Sequence, residues 1–293
     1  MNLSDSDGFK FVSYKKGRKG RTSVVASHGK RVDSKCMSSN LESSRHFIKL
    51  DQERITSLQF DLEKSEFFND LKKSLSSIFT KQTLKTKGSD LSESISAISL
   101  SEAGKEPTDI VCYGLGAFSS CMIARYQLAF LLALKSYLEI KAVSLYDPIF
   151  SCDEKDCLIK LGLDVLSVNE KAKRSVSQRT IFFMPHCDLP LYNNLLWSNW
   201  NVKQMVNIII IGNSFSNYKR LPNAQLEKRG GYINRANEFV TELKMSNNYV
   251  FKDVFNDMSI HYFKEESLSK VPAKTWLDVS EPVYELDDLI NYS

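Results

Sequence analysis

DIVCYGLGAFSSCMIARYQLAFLLALKSYLEIKAVSLYDP, residues 109–148, decides the fold. DIVCYG is a short β-branched run and FSSCMIARYQLAFLLALKSYLEI is a long, nearly all-apolar helical segment. KAVSLYDP is a second strand, stopped by Asp147 and Pro148. Strand, helix and strand in succession is the repeating unit of a parallel sheet. Outward from this unit the alternation continues. DEKDCLIKLG predicts a helix with Gly162 as its stop, DVLSV a third strand, TIFFMP a fourth, LYNNLLWSNW a helix and VNIIIIGNS a fifth strand. The central runs are continuously apolar, as strands covered by helices on both faces require. The expected fold is α/β: a Rossmann-like, doubly wound, mainly parallel sheet of order 3-2-1-4-5. Two short terminal strands, near Tyr249 to Phe251 and Ser259 to Phe263, are expected to extend its edge.

The rest of the chain reads as attachments to that sheet. In SEFFNDLKKSLSSIF, the residues Phe67, Phe68, Leu71, Leu75, Ile78 and Phe79 form one stripe at helical spacing, so this helix needs a surface to cover. Residues 83–107 are rich in Ser, Lys and Glu and end at Pro107, which reads as a linker. Residues 1–40 hold nine Lys/Arg against three Asp/Glu, a local charge of +6 in a chain whose total is +4. The expected organisation is a disordered basic arm over 1–40, N-terminal helices and a Ser-rich linker over 41–107, and the Rossmann-like domain over 108–293. The run YKKGRKGRT in the arm reads either as a solubilising tail or as a nuclear-localisation or nucleic-acid contact, and nucleic acid is expected only there. The segment from Leu277 to Tyr292 has five Asp/Glu and no Lys/Arg, and reads as a surface wrap or a frayed end.

The six cysteines form neither a CxxC pair nor a dense framework, and they read as reduced thiols of an intracellular protein. The longest apolar run, Leu128 to Leu134, is too short to cross a bilayer, so no membrane association is expected. His28, His46 and His261 show no ligand spacing with one another or with Cys187, so no metal site is expected.

In an open parallel sheet, ligands sit beyond the carboxyl ends of the strands, and that rule selects the candidates. After strand one, Gly114 and Gly116 permit a tight turn, and Ser119 and Ser120 are expected to open the next helix, whose N-terminus suits a phosphate or carboxylate. The third glycine of the dinucleotide fingerprint is absent, because Ser119 holds its place. A structural strand-to-helix turn is the alternative reading. Asp147, after strand two, stands where such folds place a ribose-binding acid, and it is equally an ordinary turn former. Strand four delivers His186, Cys187 and Asp188 to the same edge. His186 is expected to be the centre of a polar network with Asp188 or Asn213 as partner. Cys187 is expected to point into the packing of Leu189, Leu191 and Leu195, and no catalytic residue is assigned. Asn213 and Ser214 close strand five. The candidate ligand-binding set is therefore Gly114, Gly116, Ser119, Ser120, Asp147, His186, Asp188, Asn213 and Ser214. Arg125 is expected to pair within the fold or to reach an anionic ligand.

CYGLGAFSSCMIARYQLAFLLAL, SLYDPIFSCDEKDCLIKLGLDVLSVNE, TIFFMPHCDLPLYNNLLWSNW and IIIIGNSFSNY, together with the SEFFNDL helix and the basic arm, resemble the sensitivity-to-red-light-reduced (SRR-like) domain family. The resemblance implies a Rossmann-like fold, a cytoplasmic and nuclear location, and a regulatory role connected with circadian or light signalling, haem biosynthesis or microtubules. It implies no reaction and no known cofactor. The resulting expectation is a regulatory or adaptor protein that acts through protein partners and retains a pocket for a nucleotide-like or otherwise anionic ligand. The alternative is a methyltransferase-like enzyme using the same crevice.

Overall fold

The computed structural model describes residues 52–80, 106–277 and 279–284. The basic arm with Cys36, nearly all of the Ser-rich linker and the end of the acidic segment lie outside these residues.

Two helices come first, α1 (52–63) and α2 (Glu66–Thr80). The Ser65 hydroxyl accepts the Phe68 N–H at 3.1 Å and so caps the start of α2. The predicted stripe is buried at Phe67, Phe68, Leu71, Leu75 and Ile78, while Phe79 is only partly covered. The surface it covers is α3 (Met122–Tyr137) and the loop around residue 255: Phe67 stacks on Phe255 at 4.4 Å and meets Phe130 at 6.1 Å.

The sheet has seven strands in the order β3-β2-β1-β4-β5-β7-β6. These are β1 (Asp109–Tyr113), β2 (Ala142–Tyr146), β3 (Asp164–Val165), β4 (Thr180–Met184), β5 (Ile208–Asn213), β6 (Val240–Lys244) and β7 (Met258–Phe263). The first five are parallel, in the expected order, and β7 is antiparallel to both β5 and β6. Side chains alternate strictly between two cores. Ile181, Phe183, Ile209 and Ile211 enter the layer of α1, α2 and α3, whereas Phe182, Met184, Ile208 and Ile210 enter the opposite layer. That layer holds α5 (Leu189–Ser198) and, after the short helices α6 (Val202–Met205) and α7 (Phe215–Tyr218), α8 (Asn223–Ala236). Both faces of the central strands are thus apolar, as the sequence requires.

Three local expectations are corrected. The second terminal strand is Val240–Lys244, not Tyr249 to Phe251. Tyr249 and Phe255 are instead loop residues whose rings pack on Phe67, so their apolar character serves α2 and not a strand ladder. The third strand has two residues instead of five, because past Val165 the chain turns over the sheet in a helix-free connection, 166–179. Helix α3 begins at Met122 with Cys121 as N-cap, so Ser119 and Ser120 lie in the turn ahead of it. Helix α4 (Cys152–Lys160) does carry a full capping box, and Gly162 ends it with φ +72°.

Candidate functional site

Because β1, β2, β4 and β5 are parallel and in register, Gly114, Asp147, Pro185 and Ser214 all leave the same edge of the sheet. The glycine turn is shaped by its neighbours. Gly114 has φ +68°, and a Cβ placed there would lie 2.6 Å from Cys187 Sγ. Gly116, at φ +86°, donates its N–H to Asp147 Oδ2 at 2.8 Å, while the other carboxylate oxygen accepts the Ile149 N–H at 3.0 Å. Ser119 gives both its N–H (2.9 Å) and its hydroxyl (2.8 Å) to Glu154 Oε1, and Glu154 Oε2 accepts the Ser151 N–H at 2.9 Å. Both acids are buried. Arg125 pairs within the fold: its guanidinium donates to the carbonyls of Phe118 (3.0 Å) and Ser119 (2.6 Å). Ser120 Oγ faces the Ala117 carbonyl at 3.5 Å. Where a dinucleotide fold turns backbone donors toward a phosphate, this chain turns them toward its own carboxylates.

The exit of β4 differs from expectation in its partners. His186 is exposed, with φ +53°, and its ring faces the Val254 carbonyl, which accepts Gln127 Nε2 at 2.9 Å. Although the residue is exposed at the surface, crowding of its ring by the neighbouring loop lowers the imidazole pKa, against the opposing effects of the Val254 carbonyl and of the Asp257 charge. The ring therefore joins the loop before β7, not Asp188 or Asn213. Asn213 reaches the same turn by another route, its amide donating to the Cys187 carbonyl at 3.0 Å and facing Tyr218 Oη at 3.3 Å. Cys187 is buried beside Leu189, Leu191 and Leu195, as expected, and its thiol donates to the Tyr113 carbonyl at 3.2 Å. Burial and the nearby Asp147 and Asp188 charges push the pKa of this thiol up, which favours the protonated form. Asp188 is the N-cap residue of α5. Ser214 Oγ donates to Glu242 Oε1 at 2.5 Å, and Ser216 donates its N–H and hydroxyl to Oε2 at 3.1 and 2.6 Å.

Four polar residues of the YNN and SNW segments tie α5 to its surroundings, and no local signal singled them out. Tyr192, fully buried, donates to the Met184 carbonyl and accepts the Asn213 N–H at 2.9 Å, bridging the ends of β4 and β5. Gly212 makes room for that ring: a Cβ there would lie 2.5 Å from the hydroxyl. Asn193 accepts the Tyr232 N–H of α8 at 2.8 Å, and Asn194 donates to the Lys171 carbonyl at 2.9 Å. Asn199 donates to the Arg174 carbonyl and accepts the Val176 N–H, at 2.8 and 2.9 Å. The described part of the acidic segment does wrap the surface, since the Tyr284 hydroxyl meets Asn193 at 2.9 Å and Asn194 at 3.0 Å.

A cavity of about 190 Å³ opens at this edge, bounded by Tyr113 and Gly114 from β1, Tyr146 and Asp147 from β2, and Leu191 from α5. Ile149 and Lys171 stand at its exposed mouth. Gly114 and Asp147 thus line it and Gly116 touches it through Asp147, but Ser119, Ser120, His186, Asp188, Asn213 and Ser214 do not line it. The Tyr113 hydroxyl donates to Glu170, whose carboxylate is also gripped by Arg174 through two bonds of 2.9 and 2.7 Å. A second cavity, about 240 Å³, lies beside the starts of β1, β2 and β4 around Ser144, Ser177 and Gln178, away from these loops. Among the described residues no cluster of His, Cys, Asp and Glu is suited to hold a metal ion, and no helix is long and apolar enough to cross a membrane.

Residues 48–262 match the SRR1 domain family model, which takes in helix α2, the glycine turn, the β4 exit and β5. The chain belongs to the SRR1 family. It is 40% identical over 176 residues to the SRR1-like protein of Mus musculus, covering 55% of this chain and 70% of the mouse protein. It is 35% identical to the Drosophila melanogaster SRR1-like protein, with 54% and 56% covered. It is 34% identical to Protein SENSITIVITY TO RED LIGHT REDUCED 1 of Arabidopsis thaliana, with 56% and 61% covered. The matches to the fly and plant SRR1 relatives span less than two thirds of those proteins. Among solved structures, a 23S rRNA methyltransferase, ErmE, superposes with a TM-score of 0.32 at 7% identity, over 55% of this chain and 63% of that one.

Proposed function

We propose that this SRR1-family chain is a regulatory or adaptor protein that acts through protein partners in the cytoplasm and nucleus, and that its edge cavity binds a small molecule without turning it over. The observation that carries the reading is the internal capping of the glycine turn: the Gly116 and Ser119 N–H groups are engaged by Asp147 and Glu154. A desolvated Cys187 thiol and an imidazole that faces the Val254 carbonyl add no nucleophile–base pair to that edge. The name of the plant relative, which refers to red-light sensitivity, supports signalling as the class of process. A methyltransferase-like reading keeps one observation in its favour, the antiparallel β7 between β5 and β6 with a cavity at the β1 and β2 exits, which methyltransferase-like Rossmann folds share. Incubation with S-adenosylmethionine and cell-derived RNA and protein acceptors separates the two. The adaptor reading expects no S-adenosylhomocysteine above background, whereas steady production that disappears in Asp147→Ala contradicts it.

A further inference from the structure

We propose that the cavity between the exits of β1 and β2 takes a flat, uncharged, amine-bearing heteroaromatic ring of nucleobase size, and gains nothing from a phosphate attached to that ring. This deepens the small-molecule half of the preceding reading and rests on it. Size sets the first limit. At about 190 Å³ the cavity lies below the roughly 300–1,000 Å³ that accommodates drug-sized ligands, so it fits a base or nucleoside and not a dinucleotide. The walls set the second. Tyr113 is a prepositioned flat wall, its hydroxyl bonded to Glu170 and its ring stacked over Phe182 at 6.5 Å and 19°. Tyr146, Pro148, Ile149 and Leu191 complete an apolar lining that suits an aromatic face.

Charge sets the third limit. Each oxygen of the buried Asp147 carboxylate already accepts one backbone N–H, and each retains capacity for a second donor. A ring amine can supply that donor, and a phosphate cannot. An anion at this point meets the carboxylate instead of free amides, because the Gly116 N–H is taken. The cation of the lining, Lys171, is exposed at the mouth, where water and salt screen it.

Calorimetric titration of the full-length chain with adenine, adenosine, AMP and ADP tests the proposal. Adenosine is expected to bind, and AMP and ADP to bind no tighter. Tyr146→Ala is expected to weaken adenosine about tenfold, the range for one lost aromatic contact. Ile149→Trp, at an exposed position whose replacement leaves the core alone, is expected to obstruct the mouth and weaken adenosine while the urea midpoint stays unchanged. Adenosine affinity unchanged in both variants, AMP or ADP at least about tenfold tighter than adenosine, or no binding of adenine and adenosine at millimolar concentration overturns the proposal. None of these results produces S-adenosylhomocysteine, so failure here is distinguishable from failure of the adaptor reading.

Discussion

At Gly114 the space a side chain would need is occupied by Cys187 Sγ, 2.6 Å from the position of a Cβ, and the backbone stands at φ +68°. Two costs therefore meet at one position, a clash and a left-handed conformation. Gly114→Ala should destabilise the fold by about 1–3 kcal/mol, and Cys187→Ala in the same chain should return the part due to the clash while leaving the conformational part. Urea denaturation of the two single variants and the double variant reads this directly. Additive losses would show that Cys187 is not what excludes a side chain. Tyr192→Phe removes the hydroxyl shared by the Met184 carbonyl and the Asn213 N–H, and should cost about 1–3 kcal/mol because two buried groups lose their partner. Glu242 gives the edge a pH dependence. Burial raises its pKa, but His261 and the Ser214 and Ser216 hydroxyls lower it further, so the net shift is well below the usual 4.5. His261 Nε2 accepts the Phe215 N–H at 3.2 Å and lies 3.8 Å from the carboxylate, so the serines make the shorter contacts. A lowered folded-state pKa contributes stability that is full above the unfolded value and is lost as pH falls through the folded one. The stability gap between the wild type and Glu242→Gln should therefore stay level above about pH 5 and narrow as pH falls from about 5 to 3. A gap constant over that range would exclude Glu242 as the cause.

Among the elements, α5 is the one on which the edge depends. Its residues and the Asn199 that ends it bind β4, β5, α8, the 166–179 connection and the Tyr284 segment. Asn199→Ala would leave the Val176 N–H and the Arg174 carbonyl without partners in a connection that has no helix of its own. Limited proteolysis should then cut within 166–179 faster than in the wild type, while α2 stays protected; equal cleavage rates would remove α5 from this role. The elements also show what the sequence discloses. Strands β1, β4 and β5 were legible because burial on both faces forces an uninterrupted apolar run. Strand β6 was not, since VTELK lies at the sheet's edge, half-covered, where no such run is needed. Tyr249 and Phe251 looked like strand residues because aromatic packing on Phe67 and Tyr126 selects the same residue types as a strand. Most polar clamps of α5 join distant positions, as from Tyr192 to Asn213, 21 residues apart, and from Asn193 to Tyr284, 91 apart, and a local pattern cannot carry such pairings. Of the candidate site, the shared edge was legible from strand order; its partition into three separate neighbourhoods, around Asp147, His186 and Glu242, follows from side-chain partners that only the fold brings together.

On the scale of the whole molecule, α2 is part of the core that covers one face of the sheet and is no separate attachment to it. Phe67 lies against Phe130, Tyr249 and Phe255, so Phe67→Ala should cost about 3–5 kcal/mol and lower a single unfolding transition followed by both helical and aromatic signals. Two separate transitions would contradict the shared core. The same assembly presents an SRR1-family crevice whose usual anion donors are closed from within, and that is the claim on which the adaptor reading stands. Amide resonances of Gly116 and Ser119, followed by two-dimensional proton–nitrogen NMR while pyrophosphate and then ADP are added, measure it most directly. Neither resonance should move, because Asp147 and Glu154 already accept both N–H groups; saturable shifts of these two amides on adding pyrophosphate would show that the donors are open to an anion.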